Sequence, residues 1–378
     1  MMYYLHELAL RFPDLEFLRA LNVFQYITFR AIAAAVTAFL LSLLFGNWVI
    51  RRLISLKVGQ PIRTKEEVNK LFELHGQKAG TPTMGGVLIL GTVVFSTLLW
   101  ARPDNSAVWL VVFTLLYCGG LGFWDDYLKV AKKNSAGVSE RTKLIGQGIL
   151  AAIVTAYFLL NPATEVQARE LFVPFSKDPV IMNLGALTFV FFAIVIMGSS
   201  NAVNLTDGLD GLAAGCTCTA SFTYGVLAYA AGNFKIASYL DIPFYPFAGE
   251  LAVICMAMVG ASFGFLWFNC HPAKVFMGDT GSLAIGGMLG VIAICTKQEM
   301  LLVLVGGVFV IEAVSVLIQR SWFKITKRMY GEGRRVFLMS PVHHHFELKG
   351  WKENTVIVRF WILSIMFSLL GLATLKLR

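Results

Sequence analysis

The chain has 378 residues, 57% of them hydrophobic and only 15% charged, with a formal net charge of +9 and a mean hydropathy of +0.68. A water-soluble domain carries about 25% charged residues, so a soluble globular fold is excluded. The long apolar runs do not alternate with polar positions, which excludes a transmembrane β-barrel and leaves an all-α, polytopic integral membrane protein.

In chain order, the first 20 residues mix Glu7, Arg11, Asp14, Glu16 and Arg19 with apolar positions. With no basic n-region and no cleavage site they are not a secretory signal, and a short amphipathic helix on the outer surface is expected. Ten apolar runs follow, near 24–49, 83–101, 107–124, 144–161, 183–200, 211–231, 249–268, 282–297, 300–319 and 355–375. At about 1.5 Å per residue each approaches the length needed to cross a hydrocarbon core of about 30 Å, the short, glycine-rich run at 282–297 least securely. The loops at 50–82, 125–143, 201–210, 269–281 and 320–354 hold about two-thirds of the 32 Lys and Arg residues, which places them in the cytoplasm and both termini outside. Part of the basic excess is only this topological signal, and no nucleic-acid partner is expected. Cys118, Cys216, Cys218, Cys255, Cys270 and Cys295 lie in or beside the runs without metal-type pairing and read as small packing residues. No repeat or linker marks off a second unit, so residues 1–378 read as one transmembrane domain.

All five basic-side loops carry candidate site residues. The first ends Lys78-Ala79-Gly80-Thr81-Pro82-Thr83-Met84-Gly85-Gly86, where exposed amides at a helix start beside a lysine make an anion site, or merely a loop-to-helix junction. In the second, Asp125 and Asp126 share a helix face with Lys129 if the third helix runs past the membrane surface, and two adjacent carboxylates suit a hard divalent cation. Lys132, Lys133, Arg141 and Lys143 follow, enough charge for a diphosphate or anionic head groups. The third loop carries Asn201, Asn204, Asp207 and Asp210, more polar groups than capping of the sixth helix by Asp210 requires, and the residue types that read base or sugar edges. The fourth, Phe268 to Ser282, sets Asn269, Phe276 and Asp279 among small residues, with Asp279 either a metal or phosphate ligand or a plain N-cap. The fifth contains His343, His344 and His345; consecutive residues cannot all face one site, so one or two would donate to phosphate or sugar oxygens.

Five segments in this order, KxGTPTMGG at 78–86, DDYxK at 125–129, NAVNLTDGLDGLA at 201–213, FMGDxGS at 276–282 and PVHHHFELKGW at 341–351, resemble the phospho-N-acetylmuramoyl-pentapeptide transferase family of the polyprenyl-phosphate N-acetylhexosamine-1-phosphate transferase superfamily. The resemblance covers essentially the whole chain. It implies a bacterial plasma-membrane (inner-membrane) enzyme of peptidoglycan synthesis, with the active site facing the cytoplasm. Phospho-N-acetylmuramoyl-pentapeptide would pass from its UDP-linked precursor to undecaprenyl phosphate, giving lipid I and UMP with Mg²⁺ as cofactor. It also implies that Asn204, Asp207, Asp210, Asn269 and Phe276 shape the nucleoside pocket, that the histidine loop lies above the active site, and that the chain forms homodimers. On this reading Asp279 ligates Mg²⁺, Asp125 or Asp126 positions or deprotonates the lipid phosphate or shares the metal, and Lys78, Lys129 and Lys143 neutralise phosphate charge. A double displacement with Asp279 as nucleophile stays open.

Two other classes compete. Glu312 and Arg359, within or beside apolar runs, would suit the polar pathway of a transporter, although a structural ion pair accounts for Glu312 equally well. A non-catalytic lipid-binding scaffold would not need carboxylates in three separate loops.

Overall fold

The computed structural model describes residues 1–11, 16–56, 80–131 and 137–376. Its helices in the first half are α1 (Leu5–Arg11), α2 (Ile27–Ser55), α3 (Gly86–Trp100), α4 (Ser106–Ala131), α5 (Glu140–Leu160), α6 (Glu165–Arg169) and α7 (Leu187–Thr206). In the second half they are α8 (Leu212–Ala231), α9 (Phe234–Leu240), α10 (Leu251–Asn269), α11 (Gly278–Cys295), α12 (Leu301–Val305), α13 (Gly307–Tyr330), α14 (Val342–Leu348) and α15 (Glu353–Ala373). Among the described residues no strand forms beyond one isolated antiparallel bridge, Leu171 to Ile181.

Seven of these helices (α2, α4, α5, α7, α10, α11 and α15) are long and apolar enough to cross a membrane. The other three expected runs depart from that standard, each for its own reason. Helix α3 has 15 residues. Helix α8 has the length but carries Thr217, Thr219, Ser221 and Thr223; Thr217 and Thr223 bond back to the carbonyls of Ala213 and Thr219, and the helix is buried almost throughout. The run at 300–319 breaks at Gly306, between α12 and α13, and α13 continues into a basic segment.

The centre of the bundle is α10 and α11, whose most apolar windows are 78% and 89% buried. Helix α10 packs on α2, α8 and α3, and α11 packs on α4 and α7. Lipid tails are as apolar as leucine, so helices in a bilayer gain most from close backbone approach at small residues. Gly260 of α10 meets Ala35 of α2 this way: a Cβ at Gly260 would collide with the Ala35 carbonyl.

At the end of the bundle where α3 stops and α10 begins, two buried ion pairs close the structure. Arg30, 1% exposed, donates twice to Glu250 at 2.6 Å and once to the Trp100 carbonyl at 3.1 Å, and the Arg102 amide completes the Glu250 carboxylate at 3.0 Å. Lys297 pairs with Glu299 at 2.8 Å beyond the last turn of α11. The bidentate geometry of Arg30 and Glu250 offsets part of the cost of removing their charges from water, whereas Lys297 and Glu299 share a single contact that leaves Glu299 Oε2 without a hydrogen bond among the described residues.

Five cysteines are buried and unpaired, as a packing role requires. Cys270 is exposed, which corrects its reading as a packing residue: α10 ends at Asn269 and the chain turns outward there.

Candidate active site

The opposite end of α11 is where the polar residues meet. Helices α4 and α11 touch at Gly122, where a Cβ would overlap the Asp279 carbonyl and stand 2.6 Å from the Thr280 nitrogen. This contact sets the next turn of α4, with Asp125 and Asp126, beside the first turn of α11. The leading amides of a helix have no acceptor of their own. Asp126 supplies one from the neighbouring helix, accepting from the amides of Asp279 (3.2 Å) and Thr280 (2.9 Å) and from Thr280 Oγ1 (2.8 Å). Gly278, at φ +73°, starts α11 against the Asp126 carboxylate with no room for a side chain. The end of the first loop straps the same corner: Phe276 donates to the Pro82 carbonyl, and the amides of Gly85 and Gly86 donate to Phe276 and Met277.

Asp279 lies at the middle of the group. Its carboxylate takes Lys143 Nζ at 2.7 Å, Lys129 Nζ at 3.2 Å and Asn204 Nδ2 at 2.9 Å, and Asn204 also donates to Ser282 Oγ at 2.9 Å. Asp125 pairs with Lys129 at 2.6 Å and Lys143 at 3.0 Å and accepts the Val138 amide at 2.7 Å. The i, i+4 relation of Asp125 and Lys129 follows from α4 continuing to Ala131. Asp207 faces the same cluster. Burial, followed by the nearby Asp279 and Asp126 carboxylates, raises its carboxyl well above the ordinary range, against a hydrogen bond from the Gly278 amide.

Oxygen atoms of Asp125, Asp126 and Asp279 lie within 4.8 Å of one another. With Asp207 the pocket sets four carboxyl groups against two ammonium groups. An all-oxygen donor set with surplus negative charge fits a hard divalent cation such as Mg²⁺. Lys78 lies outside the described residues.

The nucleoside candidates divide by what their side chains already bond. Asn269, 2% exposed, uses both ends of its amide as a brace, accepting from the Gly211 amide at 2.9 Å and donating to the Val275 carbonyl at 2.8 Å. Asp210 does not cap α8, whose N-cap is Gly211. Its carboxylate instead takes His271 Nδ1 at 3.0 Å and the Ala273 amide at 3.1 Å, while Glu353 accepts the Asp210 amide at 3.2 Å. Phe276 is partly buried. Asn201 and Asn204 sit on α7, which runs to Thr206, where a loop was expected from residue 201 onward.

Helix α14 turns the three histidines to three different neighbours. His343 is fully buried, its Nδ1 3.1 Å from Glu312 Oε2, itself fully buried. Neither ring nitrogen of His343 has a hydrogen-bond partner among the described residues, and Nε2 lies where a Cβ on Gly208 would be. His344 bonds Glu347 at 2.8 Å. His345 Nδ1 accepts the Leu338 amide at 3.1 Å, which requires the neutral ring, and burial, then Lys349, lowers its pKa from 6.5. A lowered histidine contributes stability fully above pH 6.5 and loses it as pH falls towards the depressed value, because the unfolded chain protonates first. Protection of the Leu338 amide from hydrogen exchange, corrected for intrinsic rates, is therefore expected to drop several-fold between pH 7.5 and pH 5.5; unchanged protection would detach His345 from the loop.

Gln147, His271, Thr280 and Glu353 also belong to this constellation and were not picked out by sequence. Gln147 links Ser200 and Asn201 at 3.0 and 2.8 Å from within an apolar helix, so a buried glutamine was its only signal. His271 and Thr280 lay inside segments already marked as polar loops. Glu353 follows the N-cap residue Lys352 and resembles an ordinary first-turn acid.

Residues 108–297 match Glycosyl transferase family 4, and residues 78–90 match phospho-N-acetylmuramoyl-pentapeptide-transferase signature 1. The chain is 52% identical over 378 residues to a phospho-N-acetylmuramoyl-pentapeptide-transferase of Methylacidiphilum infernorum (isolate V4), covering 100% of both chains. It is 53% identical over 357 residues to the protein of that name from Desulfotalea psychrophila (strain LSv54 / DSM 12343), covering 94% of this chain and 96% of the other. A third such protein, from Citrifermentans bemidjiense, is 50% identical over 369 residues, 98% of this chain and 99% of its own.

Proposed function

The chain belongs to the phospho-N-acetylmuramoyl-pentapeptide-transferase family, and on that premise we propose that it moves phospho-N-acetylmuramoyl-pentapeptide from a UDP-linked precursor to undecaprenyl phosphate, releasing UMP and lipid I for peptidoglycan. It is a multi-pass membrane protein. The observation that carries the mechanism is the carboxylate group of Asp125, Asp126 and Asp279 with Lys129 and Lys143 against it.

A bound Mg²⁺ would supply positive charge to the diphosphate as the bond to UMP breaks. Asp279 and Asp125 are the residues to hold it, since both turn oxygens toward the cluster, whereas Asp126 has its oxygens bonded to the start of α11. Lys129 and Lys143 then donate to phosphate oxygens instead of to carboxylates. Asn204 keeps the Asp279 carboxylate aimed. The lipid phosphate, with a second pKa of about 6, is largely dianionic at neutral pH and needs orientation more than deprotonation. As a ligand of the metal and an acceptor from Asn204, the Asp279 carboxylate would have its oxygens committed, which favours a single in-line displacement over a phosphoryl-enzyme. We place the site at the cytoplasmic face of the plasma membrane, because one substrate is a nucleotide and the other a lipid phosphate, and read the chain as one transmembrane domain acting as a homodimer. A transport path has less support. Glu312 is matched by His343, and Arg359 stacks on the Trp351 ring at 4.0 Å.

The test is UMP release by the purified protein in detergent with undecaprenyl phosphate and Mg²⁺. Release is expected from UDP-N-acetylmuramoyl-pentapeptide, not from UDP-N-acetylglucosamine, and is expected to stop with EDTA. Release from the glucosamine substrate would move the chain to a sister specificity; silence with both would overturn the assignment, and activity in EDTA would overturn the metal.

A further inference from the structure

The second half of α13 has no part in the site above, yet it is joined to it and largely exposed. From Arg320 to Tyr330 every residue except Thr326 is exposed. At about 100° per residue its side chains sort into three arcs. Phe323, Thr326 and Tyr330 form the first, and the returning chain lies partly over it: Gly333 lies on the Phe323 ring, the Arg334 amide donates to Thr326 Oγ1 at 2.9 Å, and the Arg334 guanidinium stacks on Tyr330 at 4.6 Å. Trp322, Ile325 and Met329 form the second, 47%, 49% and 66% exposed. Arg320, Lys324, Lys327 and Arg328 form the third, and none is ion-paired among the described residues.

An apolar arc beside a basic arc is the pattern of a helix lying in a membrane interface, with its apolar side chains among the acyl chains and its lysines reaching head groups. The same segment is tied to the histidines. Gln319 accepts the amides of Val336 and Phe337 at 3.0 and 2.9 Å and donates to the Phe337 carbonyl, and the next residue, Leu338, donates to His345. Anything that fixes this half of α13 therefore fixes the chain entering α14.

We propose that residues 320–330 of α13 form an interfacial helix that docks on anionic phospholipid of the surrounding leaflet through Arg320, Lys324, Lys327 and Arg328, with Trp322, Ile325 and Met329 immersed. Four clustered cations select anionic over zwitterionic head groups, because each basic residue near a negative leaflet adds to the attraction. The occupant is bulk anionic lipid, not the polyprenyl substrate.

The experiment uses the full chain carrying Cys270→Ser and Met329→Cys, the other five cysteines being buried. A spin label at position 329 is read in nanodiscs of phosphatidylcholine alone and with added phosphatidylglycerol, as its collision rate with oxygen relative to a water-soluble nickel chelate. That ratio is expected to rise several-fold with phosphatidylglycerol. Lys324→Gln/Lys327→Gln/Arg328→Gln in the same background is expected to abolish the rise, and UMP release by this triple variant reports that it is folded. Equal ratios in both lipids, or a rise that survives in the triple variant, would overturn the proposal. So would a rise produced only by undecaprenyl phosphate added to phosphatidylcholine, which would make the helix a substrate surface. None of these outcomes depends on which UDP-sugar the site accepts.

Discussion

Asp279→Asn is expected to lower UMP release about a thousandfold while the protein stays folded. The Asp279 carboxylate gathers Lys143, Lys129 and Asn204, and it is the least buried of the three clustered aspartates, at 15% side-chain exposure. An asparagine keeps its shape and removes its charge. Two ammonium groups then lose one of their two shared carboxylates, Asp125 being the other, and the metal-binding group loses its central ligand. Removing one preorganised electrostatic group from an active site costs about 10²–10³ in rate, and losing the metal with it puts the effect at the upper end, about 4 kcal/mol of barrier. Folding should survive because the cap on α11 comes from Asp126 and not from Asp279 itself. The measurements are turnover at saturating Mg²⁺ and thermal unfolding in detergent. A variant with a tenth or more of the parental rate would remove Asp279 from the chemistry.

Gly122→Ala is expected to cost about a hundredfold in turnover, with destabilisation of about 1–3 kcal/mol, although residue 122 reaches no substrate. The added methyl would overlap the Asp279 carbonyl and crowd the Thr280 amide, both backbone atoms that no side-chain rotation relieves. Helix α4 and the first turn of α11 must then separate, which pulls Asp126 from the amides it caps and displaces Asp279 relative to Asp125. A shift of about 1 Å in such a group is enough for that loss. Gly120, on the same helix with open space around its Cα, is the control, and Gly120→Ala should behave as the parent. Equal activity of the two variants would mean that α11 is not held where the contact at Gly122 sets it.

Seven of the ten expected runs were legible as spans because length and composition decide whether a helix suits lipid. The same criterion ranked α11 as the least secure of the runs, although it is one of the seven that suit a membrane. The run expected at 282–297 reads as short and weak because Ser282, Gly286, Gly287 and Gly290 dilute its hydropathy and Gly278, Asp279 and Thr280 cut off its start, yet α11 is the most buried of the long helices. Its neighbours are other helices, so its surface follows the rule of close packing instead of the rule of lipid contact. The carboxylates of the site were legible one at a time, because charge at the end of an apolar run is costly and stands out. The Asp125–Lys129 pair was legible too, being local to one helix. Partnerships across the bundle were not. Asp126 capping α11 spans 154 residues, and Asn269 bracing Gly211 spans 58, so no spacing rule could show that these side chains hold backbone. Glu312 stood out as an anomaly, but its match with His343 depends on the packing of α14.

Arg30 and Glu250 are 220 residues apart in the chain, and that separation bears on how the protein is made. Synthesis at about 5–20 residues per second leaves the Arg30 guanidinium waiting roughly 10–40 s for its carboxylate. Arg30 stands in the first turn of α2, close enough to the bilayer surface for a long side chain to reach water in the meantime. Helix α2 can therefore enter the membrane alone, and the arrival of α10 draws the arginine inward as a latch between the first and the later helices of the bundle. Maturation of the nascent chain would then be marked by the moment Arg30 stops being reachable from water.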